Sequence, residues 1–434
     1  MTLNNTNNIK EKIIETIEER KDEIIDLTRE LVKTPSENSP PNGDELACQE
    51  IIYRFFKEAA IKTDFIYLND VPGIKKHEAY LAGRNYKNRP NVIAILKGFN
   101  QGRSLLLSGH IDTMPVGKGK WNHPPFSADI ENGKLYGRGA YDMKAGLSSM
   151  LMALRILKEM GIKLKGDLLF ESVVDEEHAG CNGTLANRLI KHNADAVILS
   201  EPSNLDIYIA HRGFRVVHLI IKGNSGMSFA GEKLENPIEH IGRLIEGMKI
   251  FREKRRKETN IPAIYREEKD PVPVFMTKLQ AGEFNFRIPM AIPEICKLEV
   301  YWQTMPGEKQ EDIEKEFFGF LDRWCRKDKF FSKNPPDWKF SLRWMPGSEI
   351  NINHPIAKTL KKVASEITNQ TINIKGAPYP CDLFIFNLYG NIPGIILGPR
   401  GGNAHGVDEF VFVEDLISLT KIFACIAIEW CGIK

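Results

Sequence analysis

The chain has 434 residues, 42% hydrophobic and 27% charged, the balance of a globular protein large enough for two or three domains. With 59 basic against 57 acidic residues the net charge is +2, so bulk charge gives no reason to expect nucleic acid or an anionic membrane as partner. The seven cysteines form no CxxC pair, so neither a zinc ribbon nor a disulfide framework is indicated; with no apolar core near the N-terminus, no signal peptide is expected, and a reducing cytoplasm is favoured.

Residues 10–33 repeat Ile and Leu at helical spacing among Glu and Lys, and helical periodicity returns from Asp44 to Ala59 after a Pro- and Asn-rich loop. Short apolar runs at 91–98, 104–112, 167–175 and 195–202 read as strands. Between the second and third lies "MKAGLSSMLMALRILKEMG" (143–161), an apolar-rich helix with Gly161 just past its end. Strand–helix–strand alternation with near-continuous apolar strands predicts an α/β fold: a mostly parallel mixed sheet with helices on both faces. After Gly213 the pattern changes to strand (214–223), helix (235–258), strands (272–282 and 294–304), helix (308–327) and strand (338–344). That β-α-β-β-α-β order is ferredoxin-like, an α+β arrangement. Residues 214–345 are therefore expected as a domain inserted into a first domain made of 1–213 and 346–434. A helix at 355–367, a strand at 392–399 and a final helix at 413–430 complete the first domain. The basic run "REKRRKE" (252–258) reads as the solvated end of the inserted domain's first helix.

The chemistry-bearing residues share one location, the carboxyl ends of the strands, where open α/β sheets bind ligands. His110 and Asp112 end "SLLLSGHID", Asp142 precedes a helix, and Asp175, Glu176 and Glu177 close the next strand. Glu201 ends "DAVILSEP", and His405 lies in the Gly-rich loop "GPRGGNAHGVDE". Singly, each has a structural explanation: a core histidine, a helix cap or a turn acid. Jointly they place acids on one crevice at a cost of several kcal/mol unless a counter-ion is present. Imidazole plus carboxylate without thiolate suits zinc, cobalt or manganese. Five such ligands exceed the needs of one tetrahedral zinc, whereas two ions roughly 3.5–4 Å apart, sharing one carboxylate, would use them all.

The segments "SGHIDTMPVG", "YGRGAYDMKAG", "VVDEEHAG", "ILSEP" and "GGNAHGVDEF" resemble the metal-binding motifs of the aminoacylase, acetylornithine deacetylase, succinyl-diaminopimelate desuccinylase and carboxypeptidase G family. The resemblance covers both chain ends and the insertion. It implies a co-catalytic two-zinc hydrolase cleaving an amide of a small N-acyl amino acid, peptide or related compound. Asp142 would bridge the ions, with His110 and Glu201 completing one site and Glu177 and His405 the other. Asp112 would orient the His110 ring through its carboxylate, a role the H-x-D spacing also suggests. Glu176 would be the general base, taking a proton from metal-activated water and returning it to the leaving nitrogen. Asp175 is expected to be structural.

The lid departs from the family pattern. Met227 stands where a histidine reaches across a dimer to the oxyanion, Met290 replaces an Asn, and Gln303 replaces an Arg that binds substrate carboxylate. Asn285 and Arg287, with His218 and His240, are the candidate substitutes. The family's "G-G-x-x-D" becomes "APYPCD", which keeps Asp382. The insertion often mediates homodimers in this family, but the missing histidine removes the functional reason for one. Two alternatives stay open from sequence alone: a metal-retaining binding protein without turnover, which the retained Glu176 argues against, and a mononuclear exopeptidase of the same fold.

Overall fold

The computed structural model describes residues 3–227, 231, 233–283 and 291–434. The chain forms two compact units. One comprises Met1–Ala210, Glu349–Ala377 and Cys381–Lys434; the other is His211–Ser348 with Pro378–Pro380.

The first unit is built on a mixed sheet. Four strands at its centre, Leu168–Val173, Leu105–His110, Val197–Leu199 and Gly394–Ile396, lie side by side and parallel. Every residue of these four is buried, as expected for a parallel layer covered on both faces. Antiparallel strands flank them: Pro90–Leu96 and Lys62–Tyr67 on one side, Ile207–His211 on the other. The edge strand 62–67 mixes exposed and buried positions, so its polar-apolar alternation hid it among longer apolar runs.

Helix Ala145–Glu159 carries buried residues around its whole circumference, the mark of an interior helix, and it packs against the C-terminal helix Val413–Cys431. The single helix expected at 10–33 is two, Leu3–Glu19 and Lys21–Lys33. The chain leaves helical geometry at Arg20, whose guanidinium bonds to Glu23 and Glu159 instead. The strand expected to run to residue 175 stops at Val173, because Asp175 takes a left-handed conformation (φ 66°) and turns the chain. All seven cysteines are buried and none is joined in a disulfide. Among the described residues, no helix is long and apolar enough to cross a membrane.

The second unit has the order read from the sequence: strand Gly213–Lys222, helix Pro237–Glu258, strands Val274–Ala281 and Ile295–Thr304, helix Gln310–Lys327, strand Asp337–Phe340. Its antiparallel sheet buries Val217, Leu219 and Ile221 on one face against the helices. The basic run is not wholly solvated. Arg255 is buried between Glu308 and Glu316, while Arg256 pairs with Asp270. At the core, Phe317 stacks on Trp302 (centroids 4.9 Å) and meets Phe251 edge-on at 5.2 Å. Phe317→Ala should therefore destabilise this unit by about 3–5 kcal/mol. Denaturant unfolding followed by tryptophan fluorescence checks it, and metal binding by the first unit should be unchanged.

Candidate metal centre

The parallel order of the central strands sends their carboxyl ends to one rim. His110 is the last residue of its strand and is buried. Its Nδ1 lies 2.9 Å from the Asp112 backbone carbonyl, which fixes the ring and leaves Nε2 facing the crevice. Nε2 is 3.1 Å from Asp142 Oδ1 and 3.5 Å from Glu201 Oε1. The other Asp142 oxygen, Oδ2, is 3.2 Å from His405 Nε2, and Glu177 Oε2 is 2.8 Å from the same nitrogen. Asp142 thus presents one oxygen to each imidazole. Ligand atoms of His110, Asp142 and Glu177 lie within 4.8 Å of one another, as do those of Glu176, Glu201 and Asp382. All seven residues named for the site from sequence (His110, Asp112, Asp142, Glu176, Glu177, Glu201 and His405) converge here.

Asp112 acts differently from the expectation. Its carboxylate is 3.8 Å from the His110 ring and accepts instead from the backbone N–H groups of Glu176 (3.0 Å) and Glu177 (3.1 Å), and from Asn38 Nδ2 (2.9 Å). The carbonyl orients the ring; the carboxylate holds the turn. Because that turn is not extended, strand alternation does not explain how Glu176 and Glu177 diverge; the turn pinned by Asp112 does. Asp175 is buried under it, receiving the Tyr86 hydroxyl at 2.5 Å and Asn38 Nδ2 at 3.2 Å, beside Arg84 and Arg89. Gly180 closes the turn where a Cβ would stand 1.5 Å from the Asp175 carbonyl oxygen, so only glycine fits.

The carboxylates and imidazoles shift one another's protonation. Burial and the nearby carboxylates of Glu201, Asp382 and Glu177 outweigh His110 and push the Glu176 carboxyl well above its ordinary range. Burial likewise lifts Glu201 to about 8. Burial opposes ionisation of Asp142, yet its bonds to His110 and His405 hold it well below the carboxylate range. Burial disfavours charge on His405 too, but Asp142 and Glu177 raise it to about 11. Protons on the imidazoles do for these acids what divalent ions would do better.

Glu409 and Arg138 escaped the sequence reading, while Asp382, noted there only as retained in "APYPCD", proves to be a third contributor. Glu409 is buried and accepts from the N–H groups of Tyr141 and Asp142, both at 3.0 Å. Arg138 pairs with it at 2.7 Å. Asp382 is buried beside Glu176, takes a hydrogen bond from the Thr184 hydroxyl, and is pushed up to about 6 chiefly by burial. An acid before an aromatic strand is too common a local pattern to announce such roles.

In the second unit, Gln303 is buried with both polar ends engaged: Oε1 accepts from Arg212 Nη1 at 2.8 Å and Nε2 donates to the Tyr301 hydroxyl at 3.1 Å. His218 bonds across the sheet to Glu299 at 2.8 Å, while His240 pairs with Glu235 and stacks on Phe330. These two histidines are therefore structural partners within the unit. Met227 is exposed. Asn285, Arg287 and Met290 lie outside the described residues.

The sequence model of peptidase family M20/M25/M40 matches residues 106–429, and the chain belongs to this family of metal-dependent hydrolases. It is 27% identical over 445 residues, spanning 98% of each chain, to an N-formyl-4-amino-5-aminomethyl-2-methylpyrimidine deformylase of Halalkalibacterium halodurans. Human carnosine dipeptidase 1 shares the fold (TM-score 0.74, 16% identity, 98% of this chain and 99% of that one). So does a Bacillus subtilis protein described as a dinuclear metal binding peptidase of the M20 family (TM-score 0.59, 19% identity, 95% and 99%).

A pH dependence follows from the shifted groups. The folded-state value of His405 lies above the ordinary ~6.5, so the stability it lends is complete below about that pH and is lost as pH climbs toward about 11. Glu201, raised to about 8, loses stability in the same direction over the interval below that value. The melting temperature of the metal-free protein should therefore fall between about pH 6.5 and pH 8. Saturating zinc should reverse the trend, because the ion competes with those same protons. Differential scanning calorimetry with and without chelator measures both.

Proposed function

We propose that this M20 enzyme holds two divalent ions across Asp142 and hydrolyses the amide of a small N-acyl amine that carries no carboxylate, specifically an N-formylated aminomethylpyrimidine. The observation that carries the two-ion reading is the two-sided placement of Asp142, 3.1 Å from His110 and 3.2 Å from His405. His110 and Glu201 would complete one site, Glu177 and His405 the other. Zinc, cobalt or manganese suits this donor set, and when bound such ions supply Lewis acidity and a water acidic enough to ionise near neutral pH.

The protein's own contribution is proton handling and placement. Glu176, as carboxylate, takes a proton from water as the water oxygen bonds to the amide carbon. It then delivers that proton to the departing nitrogen as the C–N bond breaks, leaving a carboxylic acid and a free amine. The Asp112 carboxylate keeps Glu176 and Glu177 apart, so that one serves the water while the other binds an ion.

Two observations support the substrate assignment. Gln303 stands where the resemblance implies an Arg for substrate carboxylate, and its amide is consumed by Arg212 and Tyr301. The similarity to a pyrimidine deformylase runs end to end over both chains. The zinc-loaded enzyme should turn over the N-formyl aminomethylpyrimidine with kcat/KM at least about 100-fold above that for N-acetyl amino acids or dipeptides. A preference for either carboxylate-bearing class contradicts the assignment. Glu176→Gln should lower kcat by about 100-fold or more while leaving two ions bound, checked by steady-state kinetics beside metal analysis.

A further inference from the structure

We propose that Glu409, paired with Arg138, is a positioning residue that sets the spacing of the two loops carrying Asp142 and His405; the proposal rests on the two-ion reading above. The strand Phe410–Phe412 runs antiparallel to Lys134–Tyr136, with Phe410 opposite Tyr136, and Gly137 N donates to the Glu409 carbonyl at 2.9 Å. This register sets the Glu409 side chain under the turn that leads to Asp142. Its carboxylate is buried and receives four donors. Arg138 Nη1 (2.7 Å) and Gly139 N (3.1 Å) reach Oε2; Tyr141 N and Asp142 N, both at 3.0 Å, reach Oε1.

Arg138 completes the clamp. Its Nη2 donates to the His405 carbonyl at 3.0 Å and to the Pro115 carbonyl at 3.3 Å. One buried ion pair therefore grips both ligand loops. Those loops need an external hold, since neither has a regular backbone to fix it. Asp142 has φ −120° and ψ 94° inside a distorted turn, and His405 has φ 63°. Asp142 can face both imidazoles only while the two loops keep their separation. A buried ion pair is weak as a source of stability, because desolvation offsets its attraction. Its four directed acceptor contacts instead fix geometry, as the partners of metal ligands do elsewhere.

The test uses the full chain, with Glu409→Gln (same shape, two acceptor directions lost) and Arg138→Lys (charge kept, fork lost). Zinc titration by calorimetry and metal-free melting temperature are measured beside kcat and KM. The wild type should bind two ions. Folded Glu409→Gln should keep one and bind the other about 10–100-fold more weakly, with kcat falling as that ion is lost and KM little changed. Arg138→Lys should weaken the same ion by less. The proposal is overturned if either folded variant takes both ions with wild-type affinity. It also fails if neither variant folds without metal, since the pair would then be an element of the fold. A wild type that takes only one ion contradicts the two-ion reading separately; the clamp then stands or falls on whether Glu409→Gln weakens that ion.

Discussion

One carboxylate, Asp142, faces two imidazoles, and much of the first unit serves that arrangement. His110 reaches it from the end of a buried central strand, and His405 from the loop after the 394–396 strand, on the far side of strand 197–199. Glu177 and Glu201 arrive from two further strand ends. Parallel strands make this convergence possible, because only a parallel layer delivers successive carboxyl ends to one rim. The cost is a group of buried acids that in water would stay apart. Without metal, imidazolium groups and retained protons neutralise them; divalent ions would do so more completely.

A layer of buried polar contacts keeps those acids from relaxing away. Asn38 bonds to both Asp112 and Asp175, and Tyr86, Arg84 and Arg89 close around Asp175. Asp112 then pins the backbone of Glu176 and Glu177. On the other side, Arg138 and Glu409 hold the turns of Asp142 and His405. The reacting groups are thus suspended between two polar frameworks, each anchored in the sheet or in the short strands beside it.

Much of this was legible in the sequence. Apolar runs marked the buried strands, and the His and acid residues at their ends marked the rim, because ligand chemistry restricts residue type. The βαββαβ order of the insertion was equally plain. The frameworks were not legible. Whether Asp112 uses its carbonyl or its carboxylate toward His110 depends on a backbone turn at Asp175 that strand alternation does not foresee. Glu409 gains its role from a strand register joining segments some 270 residues apart, and no local pattern records that pairing.

The second unit shows why residue type alone left the substrate open. His218 and His240 were candidates to meet a ligand and Gln303 the replacement for an Arg, yet each is engaged by neighbours within its own unit. The central claim, two ions sharing Asp142, is tested most directly by loading the metal-free protein with cobalt(II) and recording its electron paramagnetic resonance during titration. Two ions per chain are expected, with the signal collapsing by magnetic coupling as the second enters. Saturation at one ion, or two ions whose signals simply add, would contradict it.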